Sequence, residues 1–277
     1  MILLAAIVAV TNALGTVSVD TYGARIVSYV TRTGREVMAK TSSPGVGGWM
    51  LCWPWFGDAK PCDAAPRHGL ARYGTFRVVE QKEGPLLSEL VLRMDSDEKT
   101  RRFFPHDFAL TVRIRLSEGL SVEMTGVNVG REPFIVTEAF HPYFAVKDAT
   151  RCRIEGLADV PVQIDCRGSR DFRIEGEGRR FCLWDDGAGH CMKFTCNGAS
   201  GVRVWNPGPS PPKGKHITPL GADDWKTFVC VEPGTPGSDG YVLKPGESHT
   251  LSMSCARLNP RSFSTPRRAY LWYNSAN

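Results

Sequence analysis

Phe108-Ala-Leu-Thr-Val-Arg-Ile-Arg-Leu116 carries an apolar side chain at nearly every second position. Phe108, Leu110, Val112, Ile114 and Leu116 fall on one face, while Thr111, Arg113 and Arg115 fall on the other. Successive side chains alternate across a strand, so a period of two marks a strand with one buried face. Glu118-Gly119 turns the chain, and Leu120, Val122 and Met124 resume the alternation. The spacing predicts an antiparallel hairpin. On the N-terminal side, Leu86, Ser88, Leu90, Leu92 and Met94 make a similar strand, ended by Asp95-Ser96-Asp97.

The same reading extends over the chain. Strands are predicted around 25–30, 75–80, 134–138, 190–195, 201–205, 227–232 and 249–256, and no window of helical length keeps an apolar stripe at i, i+3, i+4. The apolar start, Met1 to Val10, has no Lys or Arg before it and is too short to span a bilayer. With Thr11–Gly15 as turn and Thr16–Asp20 as partner, it reads as a strand rather than an export signal. Many short strands with Gly and Pro between them predict an all-β fold, a large antiparallel β-sandwich or barrel. No linker interrupts the series, so residues 1–277 read as a single domain, with 259–277 as a C-terminal tail outside the strands.

Composition excludes several functions. The net charge of +5 is modest and its Lys and Arg are scattered, which disfavours nucleic acid as a partner. The nine cysteines include no CxxC pair, and neither they nor the six histidines show ligand spacing. Free thiols in a reducing cytoplasm account for them. No metal and no organic cofactor is expected, and no membrane association.

Three segments carry chemistry-bearing residues. In Glu138-Ala-Phe-His141-Pro-Tyr-Phe144, the predicted strand 134–138 has just ended and Pro142 stops ladder pairing soon after. His141 then sits at a strand end, where a rigid sheet can aim it into a cleft, with Tyr143 and Phe144 as flat surfaces for a sugar. The alternative is a histidine satisfied by backbone. In Phe228-Val-Cys-Val-Glu232-Pro-Gly234, Phe228, Cys230 and Glu232 share one side. Burial there raises a carboxyl's pKa and suits it to proton abstraction; the alternative is a rim glutamate held by a turn amide. In Pro66-Arg67-His68-Gly69-Leu-Ala-Arg72, two arginines bracket a histidine beside a glycine that permits close backbone approach. Arginines flanking a turn are the alternative.

Taken in order with Gly47-Gly48, Cys52-Trp-Pro-Trp-Phe-Gly57, Phe104-Pro-His-Asp-Phe108, Trp205-Asn-Pro207 and Leu243-Lys-Pro-Gly-Glu247, these segments resemble the aldose 1-epimerase (galactose mutarotase-like) family, in its hexose-6-phosphate branch. The resemblance runs from about residue 7 to about 256. It implies the supersandwich fold and interconversion of α and β anomers of an aldose, most naturally glucose 6-phosphate. It implies His141 and Glu232 as catalytic acid and base, and His68 and Arg72 at the substrate. Two positions depart from the branch pattern: Val46 stands where an arginine precedes Gly-Gly, and Arg67 precedes His68. We expect Arg67 to supply the missing phosphate contact. The branch's substrate-contacting aspartate is expected just before the strand at Phe181, where Gly178-Arg179-Arg180 stands instead. The competing readings are an epimerase of an unphosphorylated sugar and a carbohydrate-binding protein without catalysis. A monomer or weak homodimer is expected.

Overall fold

The computed structural model describes residues 6–58, 60–210, 220–236 and 240–258. The tail at 259–277, His216 and the first residues of the apolar start lie outside them. The strands, in chain order, are β1 Ile7–Asn12, β2 Gly15–Asp20, β3 Arg25–Thr31, β4 Trp49–Cys52, β5 Arg77–Lys82, β6 Ser88–Asp95, β7 Phe108–Leu116 and β8 Leu120–Asn128. They continue with β9 Phe134–Val136, β10 Ala139–Ala145, β11 Cys152–Glu155, β12 Val162–Gln163, β13 Gly168–Arg173 and β14 Arg179–Asp185. The last are β15 His190–Asn197, β16 Gly201–Asn206, β17 Phe228–Gly234, β18 Tyr241–Leu243 and β19 Ser248–Leu258.

Eight strands form one sheet in the order β1-β2-β3-β4-β10-β17-β16-β13, and nine form a second in the order β12-β11-β14-β15-β19-β8-β7-β6-β5. A two-stranded ribbon, β18-β9, completes them. The hydrogen-bonded neighbours run antiparallel. The hairpin expected from the 108–124 alternation is β7-β8, closed at Leu116–Leu120. Its apolar face, from Phe108 to Met124, lies in one core cluster with Phe140, Phe144, Val229 and Val231 of the other sheet. A side chain of this kind fully buried contributes about 1.5–3 kcal/mol, so the facing sheets hold each other through many such contacts.

The apolar start pairs as expected, with β1 against β2 from Ile7–Asp20 to Asn12–Gly15. β4, β11 to β14 and β18 were not visible as periodic runs. Among the described residues no helix is long and apolar enough to cross a membrane. The single strand expected at 134–138 is instead divided: β9 ends at Val136 in the ribbon, and the eight-stranded sheet takes up the chain at Ala139 as β10. β10 does not stop at Pro142: the residue sits inside the strand, opposite Trp49 of β4. The ladder from β10 to β17 is bonded at Ala139–Gly234 and again from Tyr143–Cys230, and is open between. Pro142, opposite Val231, and Pro233, opposite Phe140, lie in that gap and have no N–H to donate, which accounts for the opening.

Candidate active site

The register of β10 on β17 sets His141 opposite Glu232. Directly opposed residues of an antiparallel pair point to the same face. His141 Nε2 lies 3.5 Å from Glu232 Oε1, and both residues are buried. His141 is therefore a mid-strand residue at the centre of the sheet, not a strand-end one. The alternation that aims it puts Phe144 on the opposite face, edge-on to Trp49 in the core. Phe144 therefore offers no surface to a ligand. Tyr143 does share the face, stacked on His141 with ring centroids 5.1 Å apart. Phe228, Cys230 and Glu232 share one side as expected; Phe228 and Cys230 cluster with Tyr143 and Met50, and Val229 and Val231 go to the core.

The same row continues across the sheet. Arg203 on β16 is opposite Glu232, and Asp171 on β13 is opposite Arg203. Asp171 holds the guanidinium with two hydrogen bonds, from Nε at 2.7 Å and Nη2 at 2.8 Å. Sequence reasoning missed both residues. Arg203 was within reach: in the predicted strand at 201–205, Val202 and Val204 face the core, so Arg203 and Trp205 must face away from it. Asp171 lies in Gly168-Ser-Arg-Asp-Phe-Arg173, whose polar residues give no periodic signal. An aspartate is thus present in this row, about ten residues before the position where one was expected.

The cover of the cleft is built from two crossed segments. Leu70 and Ala71 N–H groups both donate to the Trp53 carbonyl, Trp55 Nε1 donates to the Pro66 carbonyl, and His68 N–H donates to the Gly57 carbonyl. His68 and Gly69 both have positive φ, at 67° and 84°. A Cβ on Gly69 would stand 2.2 Å from the Trp53 oxygen, so only glycine allows this approach. The result fixes His68 with its ring centroid 5.4 Å from that of His141, nearly perpendicular. Gly57 N–H donates to His68 Nδ1 at 3.2 Å, which leaves the proton on Nε2. Arg72, on a short helical turn, donates to Cys52 Sγ at 3.5 Å. Arg67 Nε lies 3.2 Å from Asp58 Oδ1. Val46 packs partly buried against the Tyr143–Cys230 cluster, so the position that lacks the arginine does border this face.

The electrostatics follow from this packing. Burial pushes Glu232 up to about 8, against the opposing pull of Arg203 and Arg72. Burial, then the charge of Arg72, holds His141 well below the usual histidine range, and the same causes act on His68. Burial likewise raises Cys230 and Tyr143. Glu232 Oε1, His141 Nδ1 and Arg72 Nε are buried without a hydrogen-bond partner, and Arg67 Nε, also buried, has only the ion pair with Asp58. A cleft of unsatisfied donors and acceptors is one that a polar ligand completes. His141, Cys230 and Glu232 also place one donor atom each within 4.8 Å of one another, a convergence that spacing along the chain could not reveal. Arg67, Arg72 and Arg203 surround them, and three cations disfavour a divalent ion there.

Known proteins share this fold and sequence pattern. A Salmonella typhimurium protein named "Putative glucose-6-phosphate 1-epimerase" is 28% identical over 200 residues, covering 67% of this chain and 66% of its own length. A protein of the same name from Cenchrus ciliaris is 25% identical over 82% of this chain and 76% of its own length. This chain therefore spans about two thirds to three quarters of these relatives. Among solved structures, a "putative mutarotase" from Salmonella typhimurium superposes with a TM-score of 0.80 at 23% identity, covering 92% of this chain and 91% of that one. A galactose mutarotase related enzyme from Lactobacillus acidophilus gives 0.73 at 17% identity, covering 92% and 98%. The family model for aldose 1-epimerase matches residues 6–256, and the chain belongs to the aldose 1-epimerase family.

Proposed function

We propose that this protein interconverts the α and β anomers of a hexose 6-phosphate, with Glu232 as base and His141 as acid. The observation that carries the reading is the pair itself: two buried titratable groups, 3.5 Å apart, on one face at the sheet centre. Both are driven toward their neutral forms, so at neutral pH the pair holds one proton, on Glu232. An anionic substrate beside Arg67 and Arg72 offsets the positive charge that disfavours a protonated His141. The proton then passes to His141. Glu232 takes the proton of the anomeric hydroxyl while His141 gives one to the ring oxygen. The ring opens, the aldehyde turns about C1–C2, and reclosure runs with the roles reversed. Each positioned acid or base contributes on the order of 10²–10⁴-fold.

The remaining groups have readable parts in this scheme. His68, neutral with Nε2–H free to donate, and Arg72 bind sugar hydroxyls or the phosphate. Arg67 stands in for the arginine that Val46 replaces, and Asp171 fixes Arg203 beside Glu232. One galactose mutarotase-like domain carries all of this, with 259–277 as its tail, and a sugar or sugar phosphate is the sole partner that the chemistry requires. The test is anomer exchange followed by NMR with glucose and glucose 6-phosphate in parallel. Faster exchange of the phosphorylated sugar is expected; preference for free glucose would assign the protein to unphosphorylated sugars, and no exchange of either would leave a binding protein.

A further inference from the structure

We infer that the protein has a second anion site, suited to the phosphate of a small phosphate monoester, at the far end of β10. A cavity of about 430 Å³ opens there among the turn after β3, the segment following β10, the β14–β15 turn and the end of β19. It shares no lining residue with the His141–Glu232 cluster. Arg35, Lys147 and Arg257 reach it from three different elements. Among the described residues none of the three has an ion-pair partner within 4 Å.

Two acidic residues also line the cavity, and both are already engaged. Asp185 accepts from the N–H groups of Lys147 and Ala188 at 2.8 and 3.0 Å. Glu36 accepts from the N–H groups of Tyr29, Val37 and Met38 and from the Ser28 hydroxyl. Their lone pairs are thus occupied by backbone N–H groups and the Ser28 hydroxyl, and neither makes an ion pair with the three cations, although the charge of Asp185 still acts on Arg257 and His190. His190 forms part of the wall, 94% buried by its 6% exposure, and its Nδ1 has no hydrogen-bond partner. Arg257 Nε is buried and unpartnered as well. Burial, followed by the charge of Arg35, lowers the pKa of Arg257, and burial followed by Arg257 lowers that of His190.

Unpaired like charges and orphaned donors around one hollow are the arrangement that an incoming anion relieves. Donors arriving from three directions match the several oxygens of a tetrahedral phosphate better than a planar carboxylate. The volume admits a small phosphorylated molecule and not merely an ion. The site's existence does not depend on the reading of the cleft.

The experiment is equilibrium dialysis of the full-length protein against labelled inorganic phosphate at constant ionic strength, with near-UV circular dichroism to verify folding. Lys147→Glu reverses an exposed charge at the cavity mouth and should weaken one class of phosphate site by at least about tenfold. Arg257→Ala should do the same, and both variants should keep anomer exchange at the wild-type rate. Arg72→Ala should leave this class untouched and weaken only phosphate held in the cleft. Phosphate binding unmoved by Lys147→Glu and Arg257→Ala would overturn the proposal, as would its complete loss in Arg72→Ala. Acetate in excess should displace little of the phosphate; equal competition by acetate would refute the assignment to phosphate.

Discussion

Replacing Glu232 by Gln should separate stability from activity in a pH-dependent way. The carboxyl is 1% exposed and burial moves it from an ordinary 4.5 to about 8. Between those values the folded protein holds a proton that the unfolded chain has released, so stability falls as pH rises. The stability is fully present below pH 4.5 and lost as pH climbs through about 8. At about 1.4 kcal/mol per pH unit, the displacement corresponds to roughly 5 kcal/mol once ionisation is complete. Glutamine mimics the protonated acid and cannot ionise. Glu232→Gln should therefore match the wild type at pH 5 and exceed it at pH 9 by several kcal/mol, while anomer exchange drops by about 10²–10⁴-fold. Urea unfolding at a series of pH values, with NMR exchange on the same samples, measures both. A stability difference that stays the same at pH 5 and pH 9 would refute the buried, proton-retaining state assigned to Glu232.

Five further outcomes are expected. Because His141 and Glu232 act as a unit, adding His141→Asn to Glu232→Gln should lower exchange little beyond either change alone. The rate kcat/KM should fall above about pH 8, where the pair loses its shared proton, and its acid limb should lie well below pH 6.5; activity still rising from pH 8 to 9 would mean that Glu232 works alone. Arg67→Ala should raise KM for the sugar phosphate about tenfold, the low end for a charge-assisted contact because Asp58 already competes for the guanidinium, and should leave free glucose unaffected. Gly69→Ala should destabilise the fold beyond the ~1–2 kcal/mol of a left-handed alanine, since its Cβ meets the Trp53 carbonyl; Gly34→Ala, at φ 76° with nothing within 4 Å, is the control that carries the backbone strain alone. Treatment with EDTA should leave exchange unchanged, and recovery of lost activity by one divalent ion would assign the His141, Cys230 and Glu232 donors a metal after all.

Alternation is a local property of the chain. Side chains two residues apart share a face whatever the strand pairs with, so β7, β8 and β19, and the division of β17 between Cys230 and Val231, were legible from residue order. So were the motifs around His68, His141 and Glu232, because each occupies a few consecutive positions. Strands built from polar residues, such as β13, left no such trace, and the strand carrying His141 was hidden because a proline, with no N–H for the ladder, reads as a strand end although Pro142 lies inside the sheet. What residue order alone could not decide is which faces meet. The line from Asp171 through Arg203 and Glu232 to His141 crosses four strands drawn from about ninety positions of chain, and it exists only in one register of those strands. A slip of one residue between β10 and β17 would send His141 to the core face and Glu232 away from it. The burial that raises the one group and lowers the other arises only after both sheets and the Trp53–Arg72 cover have closed around them.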